Sequence, residues 1–473
     1  MPLPTIPSGN VASATAGGFS VDNSCRFNTG DSAELSISPS SSSNRKTWTL
    51  SMWVKRCTLG QYYTLWRANG SGIDDYFSFQ NDDTLDWSFN SDGGFISTNR
   101  KFRDVGAWFH FVLRMDSTNA TAGDRQRLYV NGVEETSFST DTQVSQDTDG
   151  NTNNSAATHR IGASASSQYF DGYIAEVVLL DGISAAPTEF GEFDEDSPTI
   201  WKPKDVSGLT FGTNGFYLDF EDSSNLGNNA GSGSADFSES NIVAADQSTD
   251  TPTNSFCTIN PLDEPYGSVT LSEGNLVQVQ TSDYPYNRAT MGVANGKWYW
   301  EGKITASGGD DVIGIASVAA ASSTDYLYKS ANNYAYYSHT TNHGAYGNNA
   351  AISTTNYDAY TDDDIISVAL DLTNNKLYFA KNGTWANSGD PTSGATGTGA
   401  VSITAAASTV DGFYFPAACD YGGSPRATWS MNFGSPAHTV SSGNADANGY
   451  GNFEFAVPSG YYALCTKNLA EFG

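Results

Sequence analysis

Positive charge is scarce in this chain of 473 residues. Lys and Arg together number 23, against 52 Asp and Glu, so the formal net charge is −29 at pH 7. A basic patch is the electrostatic footprint of nucleic-acid binding, and anionic lipids also attract cationic surfaces. The composition therefore predicts a protein with no nucleic-acid partner and no membrane attraction.

Cysteine and long apolar runs are also scarce. No Cys-x-x-Cys pair occurs among the five widely spaced cysteines, which are Cys25, Cys57, Cys257, Cys419 and Cys465. This pattern disfavours a zinc site or a disulfide framework and predicts free, buried thiols. No apolar run approaches the roughly 18 residues of a membrane span, and the N-terminus lacks the basic and apolar regions of a signal peptide. We therefore expect synthesis in the cytoplasm without membrane insertion.

Aromatic residues and glycine are plentiful, whereas long helical patterns are absent. Aromatics make up 13% of the chain and glycine supplies 47 residues. Residues 48–55 alternate between an apolar and a mostly polar face, Trp48, Leu50, Met52 and Val54 against Thr49, Ser51, Trp53 and Lys55. Such alternation is typical of a half-buried strand. Residues 127–133 form another strand that ends in Asn131-Gly132, a dipeptide favoured in hairpin turns. The pattern predicts an all-β protein.

Four strings in the first part of the chain occur in a characteristic order. They are Ser51-Met-Trp-Val, Trp108-Phe-His-Phe-Val-Leu-Arg, Leu128-Tyr-Val-Asn-Gly and Phe170-Asp-Gly-Tyr-Ile-Ala-Glu-Val. Together they resemble the laminin-G/concanavalin-A-like jelly roll over residues 21–185, after an extended arm at 1–20. The resemblance implies an antiparallel β-sandwich. It leaves function open, because lectins, adhesion modules, glycoside hydrolases and structural units share this fold.

A second set of strings begins near residue 265. It includes Gly296-Lys-Trp-Tyr-Trp-Glu, with Trp298 and Trp300 on one face, and Lys376-Leu-Tyr-Phe-Ala-Lys-Asn-Gly. The set resembles a SPRY (B30.2-like) sandwich over residues 265–437, a family that binds through its loop surface without catalysis. Residues 438–473 are predicted to add one strand and a loose polar tail.

Residues 186–264 are predicted to form an irregular connector between the two sandwiches. The connector contains Gly215-Phe-Tyr-Leu-Asp-Phe-Glu and a polar stretch from Asp246 to Phe256. This block resembles one that recurs between jelly-roll modules in virion proteins of marine tailed phages. The resemblance implies a viral structural role, which no physical rule derives from the residues themselves.

Carboxylates offer the only hints of catalysis. A retaining glycoside hydrolase needs two carboxyl groups about 5 Å apart, and the nearest string is Glu192-Phe-Asp-Glu-Asp196. It lacks the terminal Glu of the jelly-roll hydrolase pattern and lies in the connector, which favours a solvated acidic turn. Other acidic pairs, at 74–75, 82–83, 310–311 and 362–364, are expected in solvated turns. We therefore predict that the protein is not an enzyme.

One acidic loop resembles half of a calcium-binding loop. Asp147 and Asp149 stand two residues apart before Gly150, and amide oxygens follow at 151–153. The closing bidentate Glu of a calcium loop is missing, and a flexible Asx-rich loop is the alternative. Calcium is the only cofactor that the sequence suggests.

Tyrosines crowd one stretch of the second sandwich, at positions 326, 328, 334, 336, 337, 346, 357 and 360. Aromatic rings can stack on sugars, and tyrosine also suits protein recognition. Five residues are therefore predicted to bind a ligand: Tyr336, Tyr337, Tyr346, His343 and Trp385. Trp385 is expected at a loop tip after an Asn-Gly turn. The alternative for the strand tyrosines is that they fill a face of the sandwich.

These observations predict a structural or adhesion component of a phage virion, a fibre or appendage on the virion surface, made in the host cytoplasm. Its expected partners are other virion proteins, further copies of itself in a trimer, and a host-surface glycan or protein. Three alternatives stay open: a capsid-decorating head fibre or protrusion, a polysaccharide-degrading glycoside hydrolase, and a lectin of cellular origin.

Overall fold

A computed structural model describes residues 18–263, 266, 269–422 and 426–473 of the chain. The chain divides into two compact units, the first ending at Thr253 and the second beginning at Asn254. Each unit is built on antiparallel β-sheets, so the predicted all-β fold of two sandwiches is confirmed. Most of the predicted N-terminal arm, residues 1–17, lies outside the described residues.

The first unit consists of short strands joined by turns, with 3-10 helices at Thr29–Asp31, Ala122–Asp124, Pro187–Glu189 and Ala244–Asp246. Its strands are β1 (Ser24–Phe27), β2 (Glu34–Ile37), β3 (Thr47–Arg56), β4 (Tyr63–Gly70), β5 (Ile73–Phe79), β6 (Leu85–Phe89), β7 (Gly94–Thr98), β8 (Trp108–Asp116), β9 (Gln126–Val130), β10 (Val133–Glu134), β11 (Phe138–Thr142), β12 (Thr158–Ile161), β13 (Gly172–Asp181), β14 (Gly191–Phe193), β15 (Trp201–Pro203), β16 (Phe216–Leu218), β17 (Ser238–Ser240) and β18 (Gln247–Ser248).

Two eight-stranded sheets enclose the core of the first unit. The β3 sheet has the order β10-β9-β8-β3-β13-β1-β18, and β16 joins it by pairing with β13. The β4 sheet has the order β11-β7-β6-β5-β4-β12-β2-β17. The apolar face predicted for residues 48–55 points into the core, where Trp48, Leu50, Met52 and Val54 are fully buried. Burial of this face against the β4 sheet supplies the main hydrophobic stabilisation of the sandwich.

Residues 186–253, predicted to be part of an irregular connector, instead build onto the first sandwich. Their strands β16 and β18 extend the β3 sheet, and β17 extends the β4 sheet. Phe211 packs over the outer face of the β3 sheet in one cluster, and Trp201 packs with Trp53 in another. Strand β3 is therefore buried on both faces, not on one as predicted. The physical reason is that large apolar side chains on this outer face require a cover.

The second unit has 3-10 helices at Leu327–Lys329, Ala386–Ser388, Pro391–Thr396 and Ala406–Ser408 and one α-helix, α1 (Thr466–Phe472). Its strands are β19 (Val269–Ser272), β20 (Val277–Gln280), β21 (Asn287–Arg288), β22 (Lys297–Ala306), β23 (Asp310–Ala316), β24 (Tyr334–His339), β25 (Gly344–Gly347), β26 (Ala350–Ser353), β27 (Ile365–Asp371), β28 (Lys376–Lys381), β29 (Thr384–Trp385), β30 (Val401–Ser402), β31 (Phe415–Asp420), β32 (Thr428–Asn432) and β33 (Tyr462–Ala463).

The core of the second unit lies between a nine-stranded and a six-stranded sheet. The nine-stranded sheet has the order β19-β20-β32-β22-β27-β28-β29, with β30 beside β28 and β33 parallel to β22. The six-stranded sheet has the order β21-β31-β23-β24-β25-β26. Trp298 and Trp300 both point into this core, as their spacing predicts.

The C-terminal tail differs from the prediction of a loose segment. It forms helix α1, whose Leu469 and Phe472 pack against the core of the second unit. The Phe472 ring stacks on Tyr462 at a centroid distance of 3.8 Å. The two apolar residues lie three positions apart and so share one helix face. Packing of this face against the core stabilises the helix in an otherwise polar segment. No helix among the described residues is both long and apolar enough to cross a membrane.

Candidate functional site

The alternation of strand β24 separates the tyrosines that were predicted to bind a ligand. Successive side chains of a strand point to opposite faces. Tyr336 therefore points into the core between the two sheets, where it is fully buried. Its neighbour Tyr337 points to the outer face of the six-stranded sheet, and Tyr346 joins it there from β25. Tyr336 fills the sandwich face, and Tyr337 and Tyr346 form part of a surface.

Six tyrosines from five separate segments meet on this outer face, and we call them the tyrosine surface: Tyr284, Tyr326, Tyr328, Tyr337, Tyr346 and Tyr421. The ring centroids of Tyr326 and Tyr421 are 4.6 Å apart, and those of Tyr328 and Tyr346 are 5.0 Å apart. Tyr337 meets Tyr346 edge to face at 5.4 Å. These separations lie in the favourable range for aromatic pairs, so the rings brace one another.

Some members of the tyrosine surface are buried, and others are partly exposed to solvent. Tyr328 and Tyr337 are each only 7% exposed, whereas Tyr326, Tyr346 and Tyr421 are half-buried. The Tyr337 hydroxyl donates a hydrogen bond to Asp310. Burial is the largest cause that raises the pKa of Tyr326 and of Tyr337 above the ordinary value for tyrosine. The hydroxyls of Tyr326 and Tyr337 donate within the protein, to Asn349 and Asp310, so towards a ligand they can act as hydrogen-bond acceptors.

The structure does not bring Trp385 or His343 onto the tyrosine surface. Trp385 lies in β29 of the nine-stranded sheet, where it is half-buried and packs edge-on against Tyr378 at 6.4 Å. This placement on the opposite face of the sandwich corrects the expected loop tip, because the short strand β29 pairs with β28. His343 lies in the β24–β25 turn, and its Nδ1 is 3.2 Å from the carbonyl oxygen of His339.

Sequence spacing alone could not have assembled the tyrosine surface. Tyr284 and Tyr421 are far apart in the chain, and neither belongs to the crowded stretch of tyrosines. They meet because the Tyr284 backbone N–H bonds to Asp420 at 2.9 Å, which sets it beside the end of β31. The crowding of Tyr326 and Tyr328 was a real signal, since both belong to the surface.

The predicted calcium ligands lie beside basic side chains. Asp147 is 3.5 Å from the Lys46 ammonium, and Asp149 is 4.0 Å from the Arg45 guanidinium. Among the described residues, no group of three or more His, Cys, Asp or Glu side chains is close enough to hold a metal ion. The geometry of this loop therefore offers cationic neighbours where a calcium site needs further oxygen ligands.

The acidic string of the former connector is held by a lysine. Glu192 and Asp194 both approach the Lys202 ammonium, at 3.6 and 3.5 Å. Asp194 also accepts hydrogen bonds from the backbone N–H groups of Asp196 and Ser197, each at 3.0 Å. Burial raises the pKa of Asp194, but these N–H groups and Lys202 outweigh it, so the pKa lies below its ordinary value. A turn held in this way stabilises the local backbone, and a general acid would need the opposite shift.

Four groups of acidic residues were expected in solvated turns. In three of the four groups, one carboxyl group is buried in the protein. Asp75, Asp83 and Asp311 are buried. Asp75 lies in β5 and accepts hydrogen bonds from the backbone N–H groups of Asn151 and Thr152 at 2.6 and 2.7 Å. Burial raises the pKa of Asp75 to about 6 despite these bonds. The prediction that these acidic residues are solvated is therefore wrong for Asp75, Asp83 and Asp311.

Comparison with known families agrees with the motif-based prediction. Residues 28–184 match the concanavalin A-like lectin/glucanases superfamily, in its laminin-G form, and residues 297–415 match the SPRY domain. The chain therefore contains a laminin-G-like domain followed by a SPRY domain. No curated protein sequence matches the chain.

The solved structures to which the chain is similar include two SPRY-type domains and a pentraxin. The SPRY domain of human HERC1 has 17% identity and a TM-score of 0.26, covering 34% of this chain and 91% of its own. The TRIM65 PSpry domain has 13% identity and a TM-score of 0.28, covering 37% and 91%. The heptameric SAP-like pentraxin from Limulus polyphemus has 14% identity and a TM-score of 0.27, covering 34% and 76%.

Proposed function

We propose that this protein is a structural and adhesion component of a phage virion, a fibre or appendage that contacts a host-surface glycan or protein through the tyrosine surface. The observation that carries the binding part is the tyrosine surface itself. Its half-buried members, Tyr326, Tyr346 and Tyr421, rest on the buried rings of Tyr328 and Tyr337. Such a platform is ordered before a ligand arrives, so little entropy is lost on binding.

The chemistry of the tyrosine surface suits polar ligands with apolar patches. A phenol ring presents a π face to the C–H groups of a sugar or to an apolar side chain, and its hydroxyl serves as donor and acceptor. Tyrosine has few rotatable bonds, and therefore buries a large area at low entropic cost. A glycan and a protein loop both offer this combination, and both remain candidate ligands.

The virion part of the proposal rests on the resemblance of the 186–264 block to phage virion proteins. The domain pair of laminin-G-like and SPRY types is consistent with a protein that presents surfaces to other molecules. The net charge of −29 would keep free copies apart before assembly, and salt or divalent ions would screen it afterwards. We propose a homo-oligomer, a trimer, at the virion surface, with no catalytic activity of its own.

Binding is tested with the full chain on a glycan array. We expect signal on a defined group of glycans, and Tyr346→Ala should weaken it by about tenfold or more, equivalent to the loss of one strong contact. The matched control is Tyr450→Ala, a half-buried tyrosine that packs with the cluster on the other sheet of the same unit. If both variants lose glycan binding equally, or if Tyr346→Ala leaves binding unchanged, the tyrosine surface is not the binding site. A blank array would remove the glycan and favour a purely structural role.

The virion location is tested by labelling intact phage particles with antibody against this chain. Label on a fibre or appendage supports the proposal, label on the head points to a decorating protrusion, and unlabelled particles refute both. Reducing-sugar release from laminarin or host exopolysaccharide tests the alternative of a hydrolase. If sugar is released, and Glu192→Gln or Asp194→Asn abolishes the release, the proposal of adhesion is wrong and the protein is a hydrolase.

A further inference from the structure

An amine and a carboxylate meet inside the first unit, on the outer face of the β3 sheet. The Nζ of Lys55 lies 2.6 Å from Oδ2 of Asp250, and each of the two side chains keeps only 1% of its surface exposed. Lys55 belongs to β3, whereas Asp250 follows the short strand β18, 195 positions later in the chain. The pair involves no ligand and lies in a different unit from the tyrosine surface, so an inference from it does not rest on the proposed function.

The strand register places an aromatic side chain on each side of Lys55. In the β3 sheet, Lys55 lies opposite Trp108 of β8 and Tyr173 of β13. Directly opposite residues share a face of the sheet, and the Lys55 Nζ is 5.6 Å from the centroid of the Tyr173 ring. Both aromatic residues belong to a buried apolar cluster that also contains Val21, Trp53, Cys57, Ala175 and Trp201. The pair is therefore withdrawn from bulk water into apolar surroundings.

The carboxyl group of Asp250 is fixed in its orientation. The Ser24 hydroxyl donates to the Asp250 carbonyl at 2.7 Å, and the Asp250 N–H donates to the Ser248 hydroxyl at 3.1 Å. The Trp108 indole N–H donates to Oδ1 at 3.0 Å. One carboxyl oxygen thus faces a hydrogen-bond donor, while the other faces the lysine amine.

This arrangement favours a reaction between the two groups. Charges that are withdrawn from water are strongly disfavoured, and an amide formed from the pair carries no charge. The fold holds the amine against the carboxyl group, so no encounter between separate molecules is needed. Water is the second product of amide formation, and exclusion of bulk water therefore favours the amide over the separate groups.

We propose that Lys55 and Asp250 condense to an isopeptide bond, an amide between the two side chains. A proton first moves from Nζ to Oδ2 along their contact, which leaves a neutral amine beside a neutral acid. The Nζ lone pair then attacks Cγ, and the Trp108 N–H stabilises the negative charge that develops on Oδ1. A second proton passes from Nζ to Oδ2, the Cγ–Oδ2 bond breaks, and one water molecule leaves. The amide nitrogen keeps the third proton, so the step balances without an oxidant or a further reactant.

The bond links β3 to the end of the first unit. The first unit ends at Thr253, just after Asp250. A pull that enters the first unit at this end passes through the bond to Lys55, so residues 56–249 lie outside the loaded path. These residues include most of the segment that packs over the β3 sheet. The bond also closes a long loop, which restricts the unfolded chain. It acts as a covalent staple that keeps the sandwich closed.

A second lysine–aspartate pair in the chain provides an internal comparison. The Lys297 Nζ lies 3.0 Å from Asp371 Oδ2, but the lysine side chain keeps 25% of its surface exposed. The Asp371 carboxylate also accepts hydrogen bonds from the backbone N–H and the side-chain amide of Asn374, at 2.9 and 2.8 Å. Solvent and these bonds stabilise the charged forms, so we expect this pair to stay uncondensed.

Intact-mass spectrometry of the full, folded chain tests the proposal. We expect a mass lower by one water molecule than the mass calculated from the sequence. Joint digestion after basic residues and after glutamate should yield residues 47–56 joined to residues 240–264. Lys55→Arg should show its full calculated mass, because the guanidinium stays protonated. Lys297→Arg is the matched control and should keep the loss of one water.

The role of the indole N–H is tested by Trp108→Phe, which keeps an aromatic ring but removes the donor to Oδ1. The fraction of chains that lack one water, sampled at intervals after synthesis, should grow about a hundredfold more slowly than in the wild type. An equal rate would show that the N–H does not assist the reaction.

The masses and fragments decide the proposal. Peptides joined through Lys55 and Asp250 establish the bond in the wild type, even if Lys55→Arg fails to fold. A wild-type chain that keeps its full mass after prolonged incubation in the folded state overturns the proposal. Loss of water that persists in Lys55→Arg, or that the fragments place at another residue, also overturns it. Condensation of Lys297 with Asp371 as well would show that burial does not select the reacting pair.

Discussion

The two outer faces of the first sandwich carry similar side chains but differ in what covers them. Strand β3 presents Thr49, Ser51, Trp53 and Lys55 on its outer side, all of them buried. Strands β4 and β5 present Thr64, Arg67, Asp74, Tyr76 and Ser78 on theirs, and these line a polar groove that we call the β4 groove. Residues 186–253 cover the β3 sheet, whereas Arg67, Asp74 and Tyr76 on the face of the β4 sheet are only half-buried. The residue types on the outward face of a strand therefore do not predict whether that face is exposed to solvent.

The contrast is sharpest in the ion pairs. Lys55 and Asp250 are 2.6 Å apart with side chains that are each 1% exposed, and Trp108 Nε1 donates to the same carboxylate at 3.0 Å. Arg67 and Asp74 are equally close, at 2.6 Å, but about a quarter of each side chain is exposed. A buried charge that loses its partner is costly, while an exposed pair contributes little. The two ion pairs thus have similar geometry, but only the buried pair is expected to matter for stability.

Asp250→Ala should produce the largest effect on stability. It removes the carboxylate that pairs with the buried Lys55, and we expect a loss of about 3–5 kcal/mol in the free energy of unfolding of the first unit. The matched change on the open face, Asp74→Ala, should cost about 1 kcal/mol or less. Hydrogen exchange of the β3 and β4 amides in the full chain, read by mass spectrometry, measures both. Equal losses would mean that the two faces do not differ as described.

The next prediction concerns pH and Glu176, which lies beneath the cover. Glu176 is 5% exposed and accepts a hydrogen bond from the Tyr217 hydroxyl at 2.9 Å. Burial is the largest cause that raises its pKa from 4.5 to about 8. The folded state therefore holds this proton below about pH 8, whereas the unfolded chain holds it only below about 4.5. This contribution to stability is present at low pH and is lost as the pH rises through 8.

Glu176→Gln should remove that dependence. Between pH 5 and 8, the difference in unfolding free energy between the wild type and the variant should change by up to about 1 kcal/mol per pH unit. Calorimetric unfolding of both proteins at several pH values measures it, and the other titrating groups cancel in the comparison. Parallel curves would show that Glu176 is ionised in the folded protein and that this part of the cover admits water.

The motifs made the two sandwiches predictable, but not the cover. The alternation at 48–55 assigned the inward face of β3 correctly because four large apolar residues lie on it. The cover is built from strands of two or three residues, such as β16 and β18. Such short strands carry no detectable period. They are defined by pairing with β13 and β1, contacts made with residues far away in the chain.

The candidate sites were predictable only in part, for similar reasons. Tyr337 and Tyr346 were predicted to bind and lie on the tyrosine surface, but Tyr336 is one residue out of phase with Tyr337 and points inward. Both faces of β24 carry tyrosine, so residue type could not separate them. The groove was missed because it depends on the bulge after Thr64, which changes the phase of Arg67. Asp74 was expected in a solvated turn but lies in β5.

Trp201→Phe tests the cover on a smaller scale. Trp201 Nε1 donates to His110 Nδ1 at 2.9 Å, and His110 Nε2 lies 2.8 Å from the Ser51 hydroxyl. Indole nitrogen is only a donor, so Nδ1 accepts and Nε2 carries the proton. The variant keeps an aromatic ring but leaves Nδ1 buried without this donor, which should cost about 1–3 kcal/mol. Trp66→Phe is the matched control, because its indole N–H has no hydrogen-bond partner among the described residues.

Both variants lose similar ring volume, so the difference between them isolates the hydrogen bond. Calorimetric unfolding measures the stability difference, and ¹⁵N NMR of the imidazole reports whether His110 keeps its tautomer. Burial lowers the pKa of His110 to about 3, so the ring should stay neutral in both proteins at neutral pH. A loss in Trp66→Phe as large as in Trp201→Phe would assign the whole effect to packing, and the bond to His110 would then contribute nothing.

The smallest effect is expected on the open face, from Tyr62→Ala. Tyr62 is 47% exposed, and a surface substitution of this kind usually changes stability by no more than about 0.5 kcal/mol. Calorimetric unfolding and β4 hydrogen exchange should therefore match the wild type. A side chain whose removal leaves stability unchanged is what an uncovered face predicts. If Tyr62→Ala instead destabilised β4 by 2 kcal/mol or more (about the cost of a buried aromatic), the groove would be part of the core and the contrast between the faces would fail.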